Sequence, residues 1–193
     1  MISRDRLSGE AVIRTDAFER SDDPSTDLPR WVAPVAAVTL GALALIRFGP
    51  GARGLVDAVF LAALGALAVI DFERHLLPNR IVLPSAALVF ALQLALFPNQ
   101  ALEWTIASLA TFLSLLVLAL IRPGGLGMGD VKLGLLLGAG LGSAVLGALL
   151  IGFLALWPVA LWLLLRGGAG ARKRALPLGP ALAFGAAVVV LAG

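Results

Sequence analysis

Asp71 and Asp130 each stand where a long apolar segment meets a short polar one, and Asp130 lies within Gly127-Met128-Gly129-Asp130-Val131-Lys132. A carboxylate at such a boundary is costly to keep, which marks it as a functional residue until another role is found. Two carboxylates within hydrogen-bonding range do not both ionise easily, so they share a proton and titrate as a unit. The ionised member takes a proton from water while the protonated member polarises a peptide carbonyl. This is aspartate-pair hydrolysis, and it requires no metal, cysteine or histidine.

The inventory excludes the competing designs. There is no cysteine and one histidine, His75, so disulfides, thiolate metal sites and cysteine nucleophiles are ruled out, and no metal or cofactor is expected. An HExxH zinc site needs two histidines. A Ser-His enzyme would have to pair His75 with Ser85, Ser108, Ser114 or Ser143, none of which sits in a nucleophile-elbow pattern. The acids Asp57 and Glu103 are expected near the outer ends of apolar spans, within reach of water, and Glu73 as a solvated loop charge. Asp71 alone reads equally well as a helix-end charge; its partner distinguishes it. Asp130 follows four glycines in six residues, Gly124 to Gly129. These permit positive φ and close chain approach, in a backbone tolerated at membrane depth only where protein buries it or it lines a wet cavity. An N-cap role for Asp130 is compatible with catalysis. Lys132 either stabilises the pair or snorkels to the interface. Asn79, beside Pro78, is a turn former that can also orient a substrate backbone.

The elements that must position these residues are apolar helices. Of 193 residues 60% are hydrophobic and 14% charged, and mean hydropathy is +0.97. The expected fold is all-α: a polytopic membrane helix bundle of about seven transmembrane helices, six to eight, near 31–47, 54–71, 81–97, 102–121, 131–142, 143–165 and 176–192. Each has about the length that crosses 30 Å of hydrocarbon, except the glycine-rich fifth, which is tilted, broken or continuous with the sixth. Gly134, Gly138 and Gly142 have the spacing of close helix packing in lipid. Residues 1–30, with five arginines and seven acids, form a flexible cytoplasmic tail rather than a secretory signal, and residues 31–193 the membrane domain. The net charge of +3 resides in scattered loop residues, so lipid bilayer and not nucleic acid is the expected partner. With the amino terminus cytoplasmic, inner loops hold Arg74, Arg80, Arg122, Lys132, Arg166, Arg172, Lys173 and Arg174, against Arg47 and Arg53 outside. That asymmetry places Asp71 and Asp130 at the cytoplasmic face of the inner membrane.

Asp71 with Leu77-Pro78-Asn79, followed by Gly127-Met128-Gly129-Asp130-Val131-Lys132-Leu133, resembles the type IV prepilin peptidases, polytopic GxGD aspartyl proteases. The resemblance covers residue 54 to the end. It implies that Asp71 and Asp130 are the catalytic pair, with Gly127, Gly129, Lys132 and Asn79 as supporting residues. Residues 176–183 are similar to a family segment that usually reads Pro-Phe-Gly-Pro, with Leu178 in place of the aromatic. It further implies prepilin or pseudopilin substrates with a short basic leader, a glycine before the cut and an apolar helix after it. Full-length bacterial members carry a cytosolic insertion with paired CxxC motifs and also methylate the new amino terminus. This chain has neither the cysteines nor the space, and resembles the peptidase-only forms of Flp/Tad-type pilus systems and archaeal preflagellin peptidases. The expected activity is therefore leader cleavage without methyl transfer. The alternatives are a proton-coupled transporter, which the lack of an internal repeat does not favour, and a catalytically silent assembly factor. The sequence specifies no oligomeric state.

Overall fold

The computed structural model describes residue 29 and residues 31–74, 77–121, 126–167 and 178–193. The expected tail over 1–30, His75, the first part of the glycine-rich turn and the basic stretch 168–177 lie outside the described residues, residue 29 excepted. Among the described residues the regular structure is helical: α1 (Val32–Phe48), α2 (Ala52–Arg74), α3 (Asn79–Leu96), α4 (Ala101–Ile121), α5 (Met128–Leu141), α6 (Val145–Gly167) and α7 (Leu178–Ala192). Single 3₁₀ turns at Pro98–Gln100 and Gly142–Ala144 precede α4 and α6.

Backbone chemistry sets the breaks. Pro78, extended at φ −70° and ψ 125°, caps the start of α3 without a side-chain bond, because its own ring removes a donor the helix would leave unpaired. Gly142, at φ +56°, ends α5. A Cβ there would also lie 2.6 Å from the Trp104 ring, so only glycine fits.

Four segments are long and apolar enough to cross a membrane: Ala52–Glu73, Asn79–Leu96, Pro98–Ile121 and Met128–Trp162. The last is 35 residues, well beyond the roughly 20 that one crossing needs, and the Gly142 turn divides it into α5 and α6. Val32–Phe48 and Leu178–Ala192 are shorter apolar helices. Outward faces are apolar, as in Ile46, Leu120, Leu146 and Trp157. Such a surface suits hydrocarbon rather than water, and this is a multi-pass membrane protein built as a helical bundle.

Helix α5 is the centre. Nearly all of it from Val131 to Leu141 is buried, with Leu133, Leu136 and Leu137 packed among Phe60, Leu61, Leu64 and Leu67 of α2 and Leu182 of α7. Gly138 lets α4 approach its backbone, since a Cβ there would come within 2.5 Å of the Ala107 carbonyl oxygen. This is the close packing expected of small residues in lipid. The pairs α1–α2, α4–α5 and α6–α7 pack as neighbours, and α3 on α5 and α2 on α7 tie the pairs together. The same contacts bring the end of α2 and the starts of α5 and α7 to one end of the bundle.

Candidate active site

Asp71 lies in the last turns of α2 and is 5% exposed. Its Oδ2 accepts the backbone N–H of Gly179 at 3.0 Å. Gly179 is the second residue of α7, so its amide is one of the four that a helix start leaves unpaired, at the positive end of the helix dipole. A Cβ at this position would lie 2.5 Å from Asp71 Oδ2, so the absence of a side chain is what lets α7 seat on the carboxylate.

Asp130 is the third residue of α5. The N-cap is Gly127, extended at φ −73° and ψ 145°, and the Asp130 amide donates to the Gly127 carbonyl at 3.1 Å. Asp130 is therefore not the N-cap residue itself; it stands inside the first turn, with its carboxylate turned back to the Gly127 backbone. Its Oδ1 is buried without a hydrogen-bond partner. The Asp71 and Asp130 carboxylates stand near enough for their charges to interact directly.

The flanking residues join the two segments. A Cβ on Gly129 would lie 2.7 Å from the Leu77 Cβ, so the first turn of α5 packs flat against the residue before Pro78. Asn79, the first residue of α3, accepts a hydrogen bond from Lys132 Nζ at 2.8 Å. Lys132 thus bridges α5 to α3. Gly127 is exposed at the helix start, with its missing Cβ 3.3 Å from Asp130 Oδ2. Among the described residues no group of three or more His, Asp or Glu side chains gathers as a metal site would require.

The family model for the type IV leader peptidase family matches residues 58–164, more than half of the chain. The chain belongs to that family. It is also 34% identical over 166 residues to a prepilin leader peptidase/N-methyltransferase of Bacillus subtilis, an alignment covering 83% of this chain. The chain spans 65% of that relative's length. No solved structure matches it.

In this leader peptidase family member the matched stretch holds Asp71, Asn79, Gly127, Gly129, Asp130 and Lys132 and stops before Gly179. Gly179 lies in the segment 176–183 marked above for its likeness to a family motif, but no site role was expected of it. Its signal was a glycine between Pro177 and Pro180 at the start of an apolar stretch, where a helix would begin. The other acids separate from the site. Asp57 is 2% exposed and pairs with Arg53 at 3.4 Å, so a neighbouring cation meets it where water was expected. Arg53 in turn lies 5.7 Å over the Trp104 ring. Glu103 is exposed and accepts the Ser143 amide at 3.1 Å. Glu73 belongs to the last turn of α2 rather than to a loop.

Proposed function

We propose that this chain is an intramembrane aspartyl endopeptidase that removes the basic leader from prepilin or pseudopilin precursors, with Asp71 and Asp130 as its catalytic pair. The observation that carries the reading is the convergence of two carboxylates from α2 and α5, one of them held by the first turn of α7. Family membership supports leader cleavage as the reaction.

The geometry distinguishes the two aspartates. Asp71 accepts the Gly179 amide through Oδ2, which fixes the plane of the carboxylate, and acts as the base that draws a proton from the attacking water. Asp130, with a buried oxygen that has no partner, carries the proton of the pair and hydrogen-bonds the scissile carbonyl oxygen. Water adds to the carbonyl carbon as one of its protons passes to Asp71 and the Asp130 proton passes to the carbonyl oxygen, and a tetrahedral gem-diol forms. Asp71 then gives its proton to the amide nitrogen while a gem-diol hydroxyl returns one to Asp130, and the C–N bond breaks, releasing the leader as a carboxylic acid and the mature protein with a new amino terminus. Gly127 and Gly129 keep the loop thin enough for an extended substrate, and the Lys132–Asn79 bridge holds α5 against α3.

The chain crosses the inner membrane about seven times, six to eight, with its amino terminus in the cytoplasm. The eight basic residues of the inner loops against two outside support that orientation, which sets the pair at the cytoplasmic face. The reaction stops at cleavage. The absence of cysteine supports this, since it leaves no CxxC pairs of the kind the dual-function members carry.

Mass spectrometry of the product tests the reading. Purified protein given a precursor and S-adenosylmethionine is expected to yield a chain cut after the leader glycine, with a free, unmethylated amino terminus. An uncut precursor would contradict the peptidase assignment, and an N-methylated product would contradict the absence of methyl transfer.

A further inference from the structure

Helices α3 and α4 both lie against α5 but have few contacts with each other. They leave between them a cleft of about 540 Å³ lined by Ala86, Ala87 and Phe90 of α3, Thr105 and Ser108 of α4, and Ala139 of α5. Leu83, Leu109 and Leu135 complete the lining, so five of its nine side chains are small. Small residues on adjoining helices are what allow another helix backbone to approach closely in lipid, where packing and interhelical hydrogen bonds drive association. An acyl chain, flexible and without polar atoms, needs no such relief.

Ser108 supplies an independent indication. It is 7% exposed and lines the cleft, and its hydroxyl, turned beneath the cleft wall, has no hydrogen-bond partner, so a rotation about χ1 is what would bring it to an acceptor in the cleft. Thr105 and Thr111 of the same helix each spend their hydroxyl on the carbonyl four residues earlier, at 2.7 Å. A spare donor in an apolar cleft is costly until an acceptor enters. The backbone carbonyls of an incoming helix are such acceptors.

The cleft is continuous with the catalytic end of the bundle. Leu83, Ala86 and Phe90 follow Asn79 on one stripe of α3, and Leu135 and Ala139 follow Lys132 on one stripe of α5. The Lys132–Asn79 hydrogen bond therefore crosses the end of the cleft nearest the aspartates. Leu135 and Ala139 are five and nine residues beyond Asp130, roughly 8 and 14 Å along the helix axis.

Resting on the peptidase reading above, we infer that this cleft is the docking site for the apolar helix of the precursor, just beyond the scissile bond. A helix seated along α5 ends about two turns from Asp130, and the few residues before it run extended past the Lys132–Asn79 bridge to the pair. Substrate choice then depends on the shape of an apolar helix as well as on the leader.

The cysteine-free chain allows a direct test by disulfide trapping. Ala87→Cys and Leu109→Cys place a thiol on the cleft walls, and Phe184→Cys places one on an exposed face of α7 as control. Each is made in the full chain carrying Asp130→Asn and oxidised in membrane vesicles with a precursor. That precursor has a basic leader, a glycine and an apolar helix of about 20 residues bearing one scanned cysteine. Both cleft positions are expected to link to the precursor in a single helical register, at least about tenfold above the control. In the active chain, Ala87→Trp at an exposed position is expected to raise KM about tenfold with kcat nearly unchanged, and Ser108→Ala to raise KM about threefold, the pattern of lost binding alone. Equal linking at all three positions, linking between two copies of the chain through the cleft, or an unchanged KM for Ala87→Trp would each overturn the proposal. Cleavage that persists in Asp130→Asn would instead overturn the peptidase reading, whereas loss of cleavage without cleft linking overturns the docking site alone.

Discussion

The contact between Gly179 and Asp71 makes the two aspartates unequal, and it is sensitive to a single methyl group. Gly179→Ala would set a carbon 2.5 Å from Asp71 Oδ2, so either α7 or the carboxylate must move. A displacement near 1 Å at reacting groups lowers rate by about 100-fold, and kcat for this variant is expected to fall by that order while the protein still accumulates in the membrane. A normal kcat would show that the α7 amide does not position Asp71. The pair also sets a pH signature. With both carboxylates protonated no base remains, and with both ionised no acid remains, so kcat/KM should fall on either side of an optimum. A rate that keeps rising with pH would point to a single base. Asp71 and Asp130 were legible in the sequence because charge is rare in so apolar a chain. The contact of Gly179 was not: the motif around it stood out, but its partner lies 108 positions away.

Among the elements, α3 and α5 depend on each other through two small features, the Leu77–Gly129 contact and the Lys132–Asn79 hydrogen bond. Interhelical hydrogen bonds in membrane proteins contribute about 0.6 kcal/mol on average by double-mutant cycles. A double-mutant cycle on Asn79→Ala and Lys132→Met, read as unfolding free energy in detergent micelles, should return a coupling of that size. Additive effects would mean the bridge contributes nothing. Apolar length located the helices well, since the segment expected over 102–121 is α4 at Ala101–Ile121. The ends of α2 were less visible. It runs from Ala52 to Arg74, beyond the span expected over 54–71, because a helix continues into the polar interface where hydropathy no longer marks it. The short fifth segment was legible from its glycines, and Gly142 is where it ends.

At the scale of the whole molecule, α5 is buried in protein while most other helices turn one face to lipid, so Gly129 and Asp130 in its first turn are carried by the centre of the bundle. This separates a rigid scaffold from a site opening at its end. The proposed orientation rests on loop charge, and it predicts the outcome of membrane-impermeant thiol labelling: Asn99→Cys and Ser143→Cys react from outside intact cells, and Met128→Cys only after the membrane is opened. The reverse pattern would invert the topology and move the aspartates to the other face. Composition had fixed the solvent of this protein, but not which helix ends meet, because the contacts among α2, α5 and α7 join residues far apart in the chain. The most direct test of the account is precursor cleavage by Asp71→Asn and Asp130→Asn in membranes, with protein level measured beside it. Each variant is predicted to accumulate normally and leave the precursor uncut. Processing at the normal rate by either one would contradict the aspartate pair.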